Sequence, residues 1–356
     1  MGRRLSRIVV LLGVDAGRDS GEFDRRPEAI REQDRGEDRV SIVHGRLAVV
    51  VVNYASAGLL QRNLVVVERE ARAVASDVQV IVVDNWSSAK ERDAAGAIAA
   101  AHGWTLIEPE TNSGFGGGVN IGVTRALADG ASDVLVINPD AHIDRESLRR
   151  LAETTAASRT TLASPVISDS DGRTWFAGID LLLDDGTMRA RRKRVSGDPQ
   201  PFEPWLSGAC LWITRELWEL VGGFDDDYFL YWEDVDFSRR VVSAGGTLAL
   251  VEDASAVHDE GGTQRVEPEV SRAKSEGYYY YNIRNRMLFA VRHLDDAGVQ
   301  RWRRSIPRTA REVILRGGRR QLIQSPAPIR AYLRGVRDAR RIARNRGTDE
   351  KGSTWS

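Results

Sequence analysis

The sequence predicts an α/β fold: a mostly parallel sheet flanked by helices, followed by a helical, basic extension. Three observations carry this. Continuous apolar, β-branched runs recur at LAVVVVNY, VQVIVVDN and DVLVINPD, the pattern of strands buried on both faces. Amphipathic helical stretches separate them, giving the strand–helix alternation of a doubly wound sheet. From about Ser271 the periodicity is helical to the end, and the charge turns strongly positive.

Ordered structure is expected to begin near Arg46, with the first strand ending at Tyr54. A helix follows from Gly58 to Ala75, then a strand closing on Asp84 and Asn85, a helix from Ala89 to Ala101 and a short strand from Trp104 to Ile107. TNSGFGGGVNIG is a Gly-rich loop opening into a helix. DVLVINPD ends in Asp140, a helix starts at Asp144, and a strand is expected near Thr161 to Ile167. Residues 169 to 204 break the rhythm and read as loop or hairpin. Their basic run, Arg189 to Arg194, is either solvated or meets an anionic substrate. WLSGACLWITRELWELVGG then gives a small-residue turn at Gly208, Ala209 and Cys210 and a short helix from Thr214 to Val221, stopped by Gly222 and Gly223. Two short strands, LALV and ASAV, end at His258. The expected division is a tail over 1–45, an α/β domain over 46–268 and a basic helical extension over 269–356.

Composition sets the outer bounds. The 356 residues include 51 basic and 51 acidic side chains, so a net charge of zero names no partner. The length suits one large domain with an appendage, or two domains, with a sizeable core. One cysteine, Cys210, excludes an intrachain disulfide framework and fits a reducing, cytoplasmic setting. Its small apolar neighbours mark it as a packing group, not a nucleophile. The basic start RRLSRIVVLLGVDAG hints at a signal peptide. However, its apolar run, Ile8 to Val14, sits at the short limit for one and shows no clear cleavage site. That run is too short to span a bilayer, and no later stretch reaches about 18 apolar residues. Asp15 to Arg39 is charged and without periodicity, as a disordered tail would be.

Ligands of open α/β sheets bind outside the carboxyl ends of the strands. Tyr54, Asp84 and Asp140 fall at such ends. Asp84 can accept from a ribose hydroxyl or a base imide, though strand-end Asp is also ordinary turn chemistry. In the loop from Asn112 to Asn120 the glycines would let backbone approach a ligand, and the following helix offers N–H groups to a phosphate. The loop lacks the Lys-Ser/Thr of a phosphate loop and follows the third strand, so it is not a dinucleotide fingerprint; a plain tight turn competes. Pro139 fixes the backbone before Asp140. A hard divalent cation takes such a carboxylate and keeps positions for diphosphate oxygens. His258 would add an imidazole, or is a hydrogen-bonded structural histidine. Finally an aromatic run, Tyr228, Phe229, Tyr231 and Trp232, leads into Glu233, Asp234 and Asp236. Carboxylates behind such bulk are costly to desolvate; an acidic first helical turn is the competing account. Asp236 is expected to pair with Arg239 or Arg240 one turn on. Asp225 to Asp227 either line an acceptor site or form a turn.

Taken together, from about Arg46 to Thr263, the chain resembles glycosyltransferase family 2, of the GT-A fold. The motifs VVVNY, VVDNWSS, NSGFGGGVNIG, VINPD, SGACLWITRELWELVGGFDDDYFLYWEDVDFSRR and VHDEGGT stand in the family's order. YYYYNIRNRMLF, Tyr278 to Phe289, is similar to the tail of the subgroup containing bacterial rhamnosyltransferases. The resemblance implies an inverting transferase of cell-envelope glycan synthesis that uses a dTDP- or UDP-sugar. It places Tyr54, Asp84, Asn112, Gly114, Phe115, Gly116, Asn120, Asn138 and Asp140 on the nucleotide sugar. Asp140 and His258 would hold Mg²⁺ or Mn²⁺, with Asn138 standing where the family's first acid would be. Asp234 becomes the general base, kept ionised by its helix N-terminus; Trp232, Glu233 and Asp225 face the acceptor. The first expectation is L-rhamnose moved from dTDP-rhamnose onto a lipid-linked or polysaccharide acceptor. A sugar-phosphate nucleotidyltransferase is the alternative for the same crevice, although its Gly-rich loop would follow the first strand.

The segment 301–356 holds 15 Arg and one Lys against four acids, a formal charge of +12. Its apolar spacing suggests basic amphipathic helices. A solvated tail, docking on an anionic membrane surface, and nucleic-acid binding compete. No fold signature or aromatic interleaving supports the last. Docking at the inner face of the plasma membrane suits a polyprenyl-diphosphate-linked acceptor. A non-enzymatic adaptor acting through this segment is the third alternative for the whole protein.

Overall fold

A computed structural model describes residues 42–194, Gly197, 200–258 and 274–349. The expected tail up to residue 41, and the VHDEGGT motif beyond His258, lie outside these residues.

The first strand, β1 (Val43–Asn53), starts slightly ahead of the expected boundary. Next come a helical stretch in three pieces, α1 (Ala57–Leu59), a π-helical turn (Leu60–Leu64) and α2 (Val65–Ala71), and then β2 (Ala75–Asp84). The helix α3 (Ala89–His102) is defined at both ends by its sequence. Ser88 accepts from the Glu91 N–H, and Gly103 closes it in the left-handed region at φ 68°. β3 (Thr105–Ile107), α4 (Gly114–Ala128), β4 (Ala131–Ile137), β5 (Ala141–Ile143), α5 (Arg145–Ala157) and β6 (Thr161–Ser168) complete the first half.

In the second half, the hairpin alternative for 169–204 is the one observed, and further strands join it. The stretch 169–204 holds strands: β7 (Thr174–Phe176) pairs with β6, while β8 (Ile179–Leu182), β9 (Met188–Ala190) and β10 (Phe202–Trp205) make a separate antiparallel sheet. The basic run there is structural. Arg194 grips the fully buried Asp180, with Nε 2.6 Å from Oδ2, and lies over the Phe202 ring. Arg191 pairs with Glu252. Cys210 is not in a turn: it begins β11 (Cys210–Thr214), a fully buried strand running antiparallel between β4 and β6. Burial pushes its thiol up to about 12, as befits a packing group. After α6 (Arg215–Val221) and α7 (Glu233–Ser243), the two expected short strands form one, β12 (Thr247–His258), with an irregularity between Val251 and Ser255.

The main sheet runs β3-β2-β1-β4-β11-β6-β12-β5. The pairs β1–β2, β1–β4, β2–β3 and β6–β12 are parallel, so the sheet is mostly parallel as read from the sequence. Its carboxyl edge carries Asn53, Asp84, Asn138 and His258.

The basic extension is helical but not a free tail. α8 (Glu276–His293), α9 (Asp296–Leu315), α10 (Gln321–Gln324) and α11 (Ala327–Asp349) pack into a second apolar cluster. Tyr279, Met287, Phe289 and Trp302 are its large fully buried members, and Leu181, Tyr228, Trp232 and Val235 of the α/β part join it. The amphipathic faces foreseen for a membrane are therefore largely spent inside the molecule. Among the described residues, no helix is long and apolar enough to cross a bilayer.

Candidate active site

A cleft of about 550 Å³ opens where the carboxyl edge of the main sheet meets the small sheet and α8. Its floor is Ser207, Gly208 and Ala209, the loop that feeds β11. Its walls include Phe115, Trp175, Trp205, Tyr231 and Tyr278, and its polar groups include Asn138, Asp140, Glu233, Asp234 and His258.

The acidic wall is held by an unusual backbone. Phe229, Tyr231 and Trp232 all adopt positive φ, at 59°, 64° and 77°. Bulky residues avoid this region, and such strain persists only where surroundings over-determine it. Asn285 of α8 supplies much of that constraint: its amide donates to the carbonyls of Tyr228, Leu230 and Tyr231 at 2.7–2.9 Å. The Phe115 N–H donates to the Phe229 carbonyl at 2.8 Å. Trp232, nearly buried, packs on Phe289 and Trp302 and then caps α7. It lines the cleft mainly by fixing this turn.

Asp234 projects from the first turn of α7. Its Oδ2 accepts from the Gly208 N–H at 3.1 Å and its Oδ1 from the Val235 N–H at 2.9 Å. A β-carbon on Gly208 would meet the Phe115 ring at 2.9 Å, so only glycine lets that amide approach. The helix N-terminus does not set the balance as expected. Burial outweighs the two amide donors and pushes the Asp234 carboxyl up to about 6. Glu233 lies deeper, 5% exposed, and burial with the neighbouring Asp234 charge pushes it well above the ordinary range. One Glu233 oxygen, Oε2, has no partner among the described residues.

At the strand ends, His258 Nε2 lies 3.1 Å from Asp140 Oδ1 and 3.2 Å from the Asn138 amide. Both Asp140 and His258 are buried, and Trp175 leans on the imidazole with ring centroids 4.8 Å apart. A carboxylate and an imidazole converging in a cleft suit a divalent cation that leaves most of its shell to a ligand's oxygens. Among the described residues no third His, Cys, Asp or Glu joins them.

Several other residues assigned to ligands are occupied by the protein. Asp84 is fully buried, with Oδ1 accepting from Asn53 and Oδ2 from Arg92, both at 2.9 Å. It positions Arg92, which lies over the Trp86 ring, and does not itself face the cleft. Asn120 donates to the Phe224 carbonyl and to Asp226, and accepts from the Phe224 N–H. Asn112 accepts from the Gly114 N–H. The glycines let protein approach closely. A β-carbon on Gly114 would sit 2.0 Å from the Phe229 carbonyl oxygen, and one on Gly116 3.1 Å from Phe224. Asp225 starts a short 3₁₀ turn, accepts from the Asp227 N–H and pairs with Arg292. It is a turn residue, outside the cleft lining. Tyr54, 53% exposed at the end of β1, also lies outside that lining. Asp236 behaves as foreseen, bonded to Arg240 at 2.7 Å, with His293 and Tyr228 as further partners. The sequence reading gave no role to Asn285, although it lies in YYYYNIRNRMLF, nor to Trp175 and Trp205.

Comparison with known proteins places this geometry. The model described as "Glycosyl transferase family group 2" matches residues 134–332, and that described as "Glycosyl transferase family 2" matches 48–212. The chain is similar to the N-acetylglucosaminyl-diphospho-decaprenol L-rhamnosyltransferase of Mycobacterium tuberculosis, 31% identical over 240 residues, covering 60% of this chain and 75% of the relative. It is also similar to the dTDP-rhamnosyl transferase RfbF of Shigella flexneri, 23% identical over 220 residues, covering 62% and 71%. Among solved structures, the mannosyltransferase PcManGT of Pyrobaculum calidifontis, in complex with GDP-Man and Mn²⁺, superposes with a TM-score of 0.50 at 16% identity, covering 90% of this chain and 91% of that one. This last likeness bears on the fold.

Proposed function

The chain belongs to glycosyltransferase family 2 and is a glycosyltransferase of the GT-A fold, and we propose that it moves L-rhamnose from dTDP-rhamnose onto a sugar carried by a polyprenyl diphosphate. The names of the two rhamnosyltransferase relatives support donor and acceptor together. The observation that carries the chemistry is Asp234: a carboxylate with two backbone donors, in a cleft.

In this reading Asp234 takes the proton of the acceptor hydroxyl. The hydroxyl oxygen forms a bond to the anomeric carbon as the bond from that carbon to the diphosphate breaks, with inversion. The nucleoside diphosphate leaves with the bonding pair. General-base help of this kind contributes about 10²–10⁴-fold. Asp140 and His258 would hold Mg²⁺ or Mn²⁺, which when bound neutralises charge on the leaving diphosphate. Asn138 fixes His258 for that task. The exposed Trp86, with Arg92 above it, and Tyr54 offer a platform for the nucleoside at the ends of β1 and β2, so Asp84 acts there through Arg92.

Peripheral docking on the inner face of the plasma membrane belongs to the same proposal. The outward face of α11 carries Arg330, Arg334, Arg337, Arg341 and Arg344, all exposed. Leu333 of the same helix is 59% exposed, and Ile323 of α10 is 90% exposed. Apolar groups rimmed by Arg suit an anionic headgroup layer, at about 1 kcal/mol per basic residue.

Product analysis tests the reaction. With a labelled nucleotide sugar and a lipid-diphosphate acceptor, transfer releases nucleoside diphosphate. Release of inorganic diphosphate from a nucleoside triphosphate would instead mark a nucleotidyltransferase. Loss of transfer in EDTA with recovery on Mn²⁺ or Mg²⁺ is expected; indifference to EDTA would leave Asp140 and His258 without the metal role.

A further inference from the structure

We infer that Lys274 and Arg316 build a second anionic subsite in the cleft, one that holds the phosphate groups of a phosphate-linked acceptor. Both residues line the cleft that holds Asp234. They come from separate places in the helical unit, Lys274 just ahead of α8 and Arg316 at the end of α9. Tyr278 gathers them. Arg316 Nη1 lies 3.2 Å from its hydroxyl, and Lys274 Nζ lies 5.8 Å from its ring centroid.

The same ring meets Tyr231 edge-on, with centroids 5.4 Å apart, three residues ahead of Asp234. The two cations are thus tied to the wall that carries Asp234. Asp140 and His258 belong to a different wall, with Trp175. A sugar whose hydroxyl faces Asp234 would direct its own linkage toward the cations, while a donor's diphosphate lies against Asp140 and His258.

Three arginines of this unit are held by the protein: Arg292 by Asp225 and Asp227, Arg308 by Asp185, Arg286 by the Asp185 carbonyl and Ser305. Arg316 has no carboxylate partner among the described residues, only a phenol. Its guanidinium retains the fork of donors that suits phosphate oxygens, and a nearby ammonium adds a point charge.

This subsite rests on the reading that the chain glycosylates a lipid-linked sugar, so its test includes a readout independent of transfer. Binding of farnesyl diphosphate in detergent, with EDTA present, is measured by calorimetry. Wild type is expected to bind, R316A and K274A to bind at least tenfold more weakly, and R311A, whose side chain is exposed and outside the cleft lining, to bind as wild type does. In transfer assays R316A should raise KM for a diphosphate-linked acceptor at least tenfold and leave KM for the nucleotide sugar within twofold. Equal weakening in R311A would reduce the effect to bulk charge and overturn the subsite. A raised KM for the nucleotide sugar alone would give the cations to the donor's diphosphate and overturn it too. So would a wild type that fails to bind the probe. Selective loss of probe binding without transfer to any acceptor would uphold the subsite and sink the transferase substrate reading instead.

Discussion

Asp234 must be buried enough to be reactive and still lose its proton near neutrality. With its carboxyl pushed up to about 6, kcat/KM should fall tenfold per unit as pH drops below that value. A profile flat from pH 5 to 8 would remove Asp234 from the rate law. The same shift acts on stability, with a definite sign. The folded state binds this proton more tightly than the unfolded chain, whose carboxyl stands near the ordinary 3.8. Stability contributed by the group is therefore full below about pH 4 and is lost as pH rises through about 6. Asp234→Asn should match wild type in melts at pH 4 and exceed it by up to about 3 kcal/mol at pH 7.5; a pH-independent difference would contradict this. Asp140, Asp234 and His258 were legible in the sequence because each closes a recognisable motif at an element boundary. Asp84, Asn120 and Asp225 were assigned to ligands and are bonded within the protein to Arg92, Phe224 and Arg292. Sequence shows that a polar group needs a partner; it does not show whether that partner is substrate or protein.

The glycines of α4 and the left-handed turn before α7 are two halves of one device. Gly114, at φ 79°, lets the Phe229 carbonyl reach the Phe115 N–H. Gly114→Ala should break this seam, lowering the melting temperature and abolishing transfer together. Gly103→Ala provides the control: it has a similar φ, 68°, but open space around the added carbon, so it should cost only about 1 kcal/mol and spare activity. Comparable losses in both variants would show that strain alone, not the seam, is at stake. The long runs of β1, β2 and β4 were readable because a strand buried on both faces leaves a continuous apolar signature. β11 was not, because four apolar residues running straight into the Thr214 cap of α6 cannot be told from a helix start. The small sheet of β8 to β10 was hidden for another reason. Its strands are three or four residues long and half-buried, so they carry almost no period.

At the scale of the whole molecule, the basic extension is one wall of the site. Its charge was plain in the sequence, and its buried face was foreseen only as amphipathic spacing. What could not be read was that this face docks on Trp232 and Val235, because long-range packing leaves no local pattern. Trp302→Ala should cost about 3–5 kcal/mol and weaken transfer through the loosened Trp232, although residue 302 lies outside the cleft lining. Removing the chain beyond residue 300 should unfold the site, so these helices are not a detachable anchor. The outward arginines of α11 are a separate matter: replacing Arg330, Arg334, Arg337 and Arg341 by Glu should abolish cosedimentation with anionic vesicles, and unchanged cosedimentation would rule this face out. The central claim is narrower and has a direct test. Transfer from dTDP-rhamnose to a lipid-diphosphate-linked sugar is followed for wild type and Asp234→Asn, alongside the Kd of each for the donor. The account predicts transfer at least about 10³-fold slower in the variant with donor affinity unchanged. Transfer at the wild-type rate in Asp234→Asn would contradict it.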